Sequence, residues 1–158
     1  MMRVESEPSK WDERFFQLCH LTATWSEDRR TKVGAVIVGP ANEVRAIGYN
    51  GMPRGVSGKE DFRYSSEENE KYYWFEHAER NAIYNAARAG TSTDGCRLYV
   101  SLFPCADCAR GIIQGGIVQV NTFPRPDADQ KSERTFDVAQ TMFEEARIEL
   151  RVFQRKQF

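Results

Sequence analysis

The chain has 158 residues, 22 Lys and Arg against 23 Asp and Glu for a net charge of -1, and 41% apolar residues. That length suits one compact domain with a sizeable core, and the balanced charge argues against a protein that coats nucleic acid, whose affinity comes from clustered Lys and Arg. The polar start, Met1 to Lys10, lacks the apolar core of a secretory signal and no stretch reaches the length of a bilayer span, so the expectation is a cytoplasmic protein with a small ligand, no membrane contact and four reduced cysteines.

Residues 1–9 read as a flexible tail ahead of a single domain. Ser9 and Asp12 have the spacing of a capping box, which opens a helix through about Trp25 whose Phe15, Leu18, Cys19 and Leu21 recur at helical spacing. Val33 to Val38 and Val44 to Gly48, separated by a turn-like Gly39 to Asn42, predict a hairpin. A Gly/Pro-rich segment, Gly51 to Gly58, leads into a charged stretch from Lys59 to Lys71 that has no sustained period and reads as a surface excursion or a short irregular helix.

Beyond it, the alanine-rich run from His77 to Ala89 is helical and ends at Gly90. Arg97 to Ser101 is a strand, Cys105 to Gln114 a helix closed by Gly115 and Gly116, and Ile117 to Phe123 a strand. Pro124 to Lys131 is a loop, Ser132 to Ala146 a helix, and Ile148 to Phe153 the last strand. This order predicts an α/β fold in three layers, α/β/α, around a mixed five-stranded sheet whose C-terminal part is parallel.

Three residues have the chemistry of metal ligands. His77 opens one predicted helix, and Cys105 and Cys108 open another directly after a strand and a proline. Strand-to-helix junctions of a parallel sheet gather on one edge, so these side chains can converge. Cys at i and i+3 share a helical face, and a helix N-terminus favours the thiolate. Two thiolates and one imidazole suit zinc, and three protein ligands leave the fourth tetrahedral position open for catalysis. Glu79, two residues past His77, is placed to move protons without ligating the metal.

A lone C-x-x-C pair also serves redox chemistry or a structural zinc site. Together, however, H-A-E and P-C-x-x-C reproduce the H-x-E…P-C-x-x-C pattern of zinc deaminases. Cys19, His20 and Cys96 have no identifiable metal partners, and Cys19 falls on the apolar face of the first helix.

The chain resembles the cytidine/deoxycytidylate deaminase superfamily, most closely the deoxycytidylate (dCMP) deaminases, from Trp11 to about Phe153. The resemblance is carried by H-A-E-R-N-A-I (77–83), F-P-C-A-D-C-A (103–109), S-E-D-R-R-T-K-V-G-A-V-I-V (26–38) and G-Y-N-G-M-P-R-G (48–55). It implies the cytidine-deaminase-like fold, zinc on His77, Cys105 and Cys108, proton transfer by Glu79, and conversion of dCMP to dUMP and ammonia, with another free nucleotide, nucleoside or base as the alternative substrate. It also implies nucleotide contacts from Ser26, Asn50 and Asn81, a homo-oligomer of hexameric type, and an effector site for dCTP and dTTP at Gly51, Arg54 and Gly55.

There is one departure: many dCMP deaminases carry a tyrosine-bearing loop after the fourth strand, whereas this chain reads N-T-F-P-R-P-D-A-D-Q-K (121–131). The basic side chains on segments expected to border the pocket are Arg30, Arg54, Arg110, Arg125 and Lys131, candidates for the substrate phosphate with Arg125 foremost.

Overall fold

A computed structural model describes residues 2–126 and 130–155, with the side chains at 68 and 130–132 outside the description. Six strands form one sheet: β1 (Met2–Glu5), β2 (Gly34–Val38), β3 (Val44–Tyr49), β4 (Arg97–Val100), β5 (Gln119–Thr122) and β6 (Glu149–Phe153). Their spatial order is β1-β6-β5-β4-β2-β3. β2 is antiparallel to both β3 and β4, while β4, β5, β6 and β1 run parallel.

Residue alternation along the strands sends side chains to two cores. Val36, Val38 and Tyr99 meet Phe15, Phe16 and Cys19 of α1 (Lys10–Ala23). Ala35, Ile37, Leu98, Val100 and Val120 face α3 (Ala78–Arg88), α4 (Ala106–Gln114) and α5 (Gln130–Glu145). The three-layer α/β/α arrangement and the β2–β3 hairpin match the expectation. The charged excursion holds two short 3-10 turns, at Asp61–Tyr64 and Glu67–Asn69, and the short helix α2 (Glu70–Trp74).

The sheet has six strands rather than five, because the segment read as a flexible tail supplies β1, in register with β6 from Met2 opposite Leu150 to Glu5 opposite Phe153. Its anchor is electrostatic. Arg151 donates through Nε to Glu5 at 2.8 Å and through its two terminal nitrogens to the two oxygens of Asp12 at 2.9 and 3.1 Å. Asp12 in turn accepts from Tyr99 Oη at 2.7 Å and completes the capping box with Ser9, whose Oγ accepts from the Asp12 amide. Burial alone would oppose ionisation of Asp12, but hydrogen bonds from Arg151, Ser9 and Tyr99 outweigh it and hold the carboxyl below its usual range.

Two glycines set how closely helices approach the sheet. A Cβ on Gly34 would lie 2.0 Å from the Cys19 carbonyl oxygen of α1, and one on Gly48 would lie 2.3 Å from the Ala78 oxygen and 2.4 Å from the Ala82 nitrogen of α3. Only glycine permits backbone contacts of that kind.

Candidate active site

Both ligand-bearing helices start one residue later than the sequence reading put them, so His77 is the N-cap of α3 and Cys105 the N-cap of α4. Neither side chain caps its own helix. For α4 the Ala106 amide donates instead to Thr135 Oγ1 of α5 at 2.9 Å, which leaves the Cys105 sulfur available. For α3, Glu76 accepts from the His77 amide at 2.9 Å and from Arg80 Nε at 2.6 Å, while Arg80 reaches toward Asp107 of α4 at 3.9 Å.

His77, Cys105 and Cys108 converge with ligand atoms all within 4.8 Å of one another. His77 Nδ1 lies 3.5 Å from Cys105 Sγ and 3.4 Å from Cys108 Sγ. Tetrahedral zinc with ordinary Zn–S and Zn–N bond lengths separates such a pair by about 3.6 Å, so the donor set fits that ion. The charge distribution agrees. A hydrogen bond from Cys108 and the neighbouring His77 push the Cys105 thiol down to about 4, against the opposing effect of burial. Hydrogen bonding to Cys105 and burial push Cys108 up, so the pair shares a proton that a dication would displace.

Glu79 is 4% exposed on the first turn of α3, and burial, reinforced by the charge on Cys105, raises its carboxyl above the usual range. A carboxyl whose proton affinity is raised in this way is suited to take up a proton and pass it on. Glu79, His77 and Cys105 line a cavity of about 470 Å³ walled by Val33, Phe75, Leu102, Phe103 and Phe136 and edged with polar groups from Asp28, Thr31, Asn50, Lys71 and Thr135.

The other residues expected at the site divide. Asn50 lines the cavity, but both its amide hydrogens are engaged, with Asp28 Oδ2 at 3.1 Å and the Thr31 carbonyl at 2.8 Å, and its oxygen accepts from the Val33 amide at 2.8 Å. Ser26 stands behind it, donating to the Asn50 carbonyl at 2.7 Å and accepting from the Asp28 amide at 3.1 Å. Asn81 is not on the cavity wall; its amide donates at 2.8 Å to the Tyr49 carbonyl of the edge strand β3. These three asparagine and serine side chains therefore order the backbone around the cavity, Asn50 alone bordering it.

Arg125 is also elsewhere. It pairs with Asp137 at 2.5 Å and with Gln140, lies over the Phe103 ring, and borders a separate shallow groove beside β1 and α5. Arg30 donates to Ser66, Arg54 to Asn85 and Arg110 to Asp107, none on the cavity wall. The Lys131 side chain lies outside the described residues. Gly51 exchanges two backbone hydrogen bonds with Glu76, at 3.0 and 2.8 Å, which fixes the Gly51–Gly58 loop to the residue just before His77, while Gly55 has the positive φ of 82° that favours glycine.

Asp28, Thr31 and Lys71 were not singled out by the sequence reading. Asp28 and Thr31 fall inside the 26–38 motif, which offered a signal; Lys71 lies in an aperiodic charged stretch, which offered none.

A mixed sheet flanked by helices, with a His/Cys/Cys donor set at two helix starts and a buried carboxylate beside it, defines a metal-dependent hydrolytic centre. The chain belongs to the family defined by the cytidine and deoxycytidylate deaminase zinc-binding region, whose sequence model matches residues 9–123. It is 42% identical over 144 residues to the deaminase of the luxG 3′ region of Aliivibrio fischeri, covering 90% of this chain and 92% of that one. It is 40% identical over 152 residues to deoxycytidylate deaminase of Mus musculus, covering 93% and 82%. Among solved structures, the apo dCMP deaminase of cyanophage S-TIM5 superposes with a TM-score of 0.71 at 26% identity, covering 92% of this chain and 98% of that one.

Proposed function

We propose that the protein hydrolyses dCMP to dUMP and ammonia, providing dUMP for thymidylate synthesis. The observation that carries this reading is the buried Glu79 carboxylate beside the His77, Cys105 and Cys108 donors in the wall of a cavity large enough for a nucleotide. Relatives named deoxycytidylate deaminase, matched over most of both chains, support the choice of substrate.

Zinc held by His77, Cys105 and Cys108 would acidify a water molecule and so supply a nucleophile at neutral pH. Glu79 moves two protons in turn: the one released by the water goes to the ring nitrogen N3 as oxygen adds to C4, and the one left on that oxygen goes to the amine as the C4–N bond breaks, so that N3 keeps its proton and ammonia departs. Its raised proton affinity suits both halves of that transfer. The apolar faces of Phe75, Leu102 and Phe103 exclude bulk water, and Asn50, clamped on three sides, fixes the backbone of the opposite wall.

The same reading includes a cytoplasmic location, a hexameric assembly and control by dCTP and dTTP at Gly51, Arg54 and Gly55. Among the described residues no helix is long and apolar enough to cross a membrane. Tyr72 and Tyr73, 61% and 80% exposed, give an assembly apolar surface to cover. The Gly51–Glu76 bridge gives an effector on that loop a path to His77.

Ammonia release from cytosine, adenine and guanine bases, nucleosides and nucleotides tests the assignment. dCMP should be the best substrate, with kcat/KM above that for deoxycytidine by at least about a hundredfold. Turnover of a different base, or equal efficiency on the two cytosine compounds, would overturn it. Light scattering tests the assembly, and kinetics with added dCTP and dTTP the regulation.

A further inference from the structure

The cavity contains an ion pair that the deamination chemistry does not use. Lys71 of α2 pairs its ammonium with Asp28, which belongs to the loop between α1 and β2; their side chains are 14% and 2% exposed. Both residues line the cavity together with Glu79 and His77.

Asp28 is saturated. Its Oδ2 receives Asn50 Nδ2 at 3.1 Å and the Lys71 ammonium, and its Oδ1 receives the amides of Arg30 at 2.9 Å and Thr31 at 3.1 Å. Burial opposes its ionisation, but those donors prevail and hold it below the usual carboxylate range. It is a fixed negative point, with nothing left to offer a substrate. Lys71 is in the opposite condition, because an ammonium has three donors and Asp28 takes one. The rings of Phe75 and Tyr72, 5.6 and 6.0 Å from Nζ, flank it.

An ion pair in a cavity wall costs desolvation that an apolar pair of the same size would avoid, so its contribution lies elsewhere than in packing. Among the described residues on that wall, Lys71 is the one Lys or Arg. The arginines at 30, 54, 110 and 125 are engaged elsewhere. A nucleoside monophosphate brings its dianion at the end remote from the base, whose C4 must sit against Glu79 and the metal ligands.

We infer that Lys71 is the specificity residue that binds the substrate's 5′-phosphate, with Asp28 as the positioning residue that holds the ammonium at the cavity wall. This rests on the dCMP reading.

The test compares wild type with Lys71→Gln, Lys71→Met, which keeps the aliphatic bulk, and Lys71→Arg, measuring kcat/KM on dCMP and deoxycytidine and the affinities for dUMP and deoxyuridine by calorimetry. Zinc content and circular dichroism monitor the fold. The preference for dCMP over deoxycytidine, and for dUMP over deoxyuridine, should fall about a hundredfold in the Gln and Met variants, chiefly through KM, and by less than about tenfold in the Arg variant. A structural role alone would lower efficiency on both substrates in proportion and leave the preference standing, which overturns the inference. Wild type that binds dUMP no better than deoxyuridine also overturns it. Wild type that prefers dUMP yet releases no ammonia from dCMP overturns the functional reading instead, and the calorimetry then still decides the role of Lys71.

Discussion

Replacing Gly48 with alanine places one methyl group between β3 and the helix that carries His77 and Glu79. The new Cβ would lie 2.3 Å from the Ala78 oxygen and 2.4 Å from the Ala82 nitrogen, both backbone atoms that cannot rotate aside. Restoring ordinary contact near 3.4 Å requires α3 to withdraw by about 1 Å. Overpacking of this kind costs about 1–3 kcal/mol, offset by less than about 1 kcal/mol from the stiffer unfolded chain. The functional effect should exceed the effect on stability, because His77 and Glu79 move with α3 while Cys105 and Cys108 stay on α4, and a misplacement of about 1 Å in a reacting constellation costs about a hundredfold in rate. The assay is kcat/KM by ammonia release, with zinc retention against a chelator and urea unfolding measured in parallel. A Gly48→Ala enzyme within about threefold of wild type in activity, with undiminished zinc affinity, would refute the close-approach argument.

Glu79→Gln keeps the size and polarity of the side chain but not its proton affinity, so kcat should fall by at least about a hundredfold while zinc content and melting temperature hold; near-normal turnover would assign the proton to another group. Cys108→Ser removes a thiolate from the donor set and should lose zinc and with it some stability, measured by metal analysis and thermal unfolding, whereas a full complement of zinc would remove Cys108 from the metal site. The Asp12–Arg151 contact predicts a pH dependence of definite sign: the folded-state pKa of Asp12 is depressed, so its stabilisation is complete above the unfolded value of about 3.9 and is lost as pH falls through the folded value. The stability difference between wild type and Asp12→Asn should therefore be level above about pH 5 and shrink below about pH 4, a comparison in which metal loss common to both proteins cancels. A difference constant across that range would detach Asp12 from the network.

The parts of the molecule legible in the sequence are those whose information is local. The Ser9–Asp12 capping box, the β2–β3 hairpin and the His77, Glu79, Cys105 and Cys108 constellation are each written in residues a few positions apart, and the parallel-sheet rule supplies the one long-range step that brings the two helix starts together. What was missed depends on partners far along the chain. β1 is four residues long, and its buried Glu5 makes sense only beside Arg151, 146 positions away. Asn50 and Ser26 sit where the family motif put them, yet their hydrogen bonds go to Val33, Thr31 and Asp28. Arg125 has the chemistry of a phosphate ligand, but Asp137 and Gln140 of α5 draw it to the next groove. Composition cannot separate these cases, because a basic side chain near a site looks the same whether a neighbouring carboxylate has already claimed it.

Glu79 and the His77, Cys105 and Cys108 donors all sit at the starts of α3 and α4, helices packed against the sheet, whereas Asp28, Thr31, Asn50 and Pro126 reach the cavity from connecting segments and Lys71 from the short helix α2. Reactivity and selectivity are thus inherited on separate stretches of chain. A lineage can recharge residues 26–31 or 52–71 and so alter what the cavity admits, while Glu76, bonded to Gly51, His77 and Arg80, keeps the start of α3 in place. Changes to the helix starts have no such latitude, since the Gly48 contact ties α3 to the sheet at backbone distance. Divergence in this architecture should accumulate at the rim of the cavity and spare its floor.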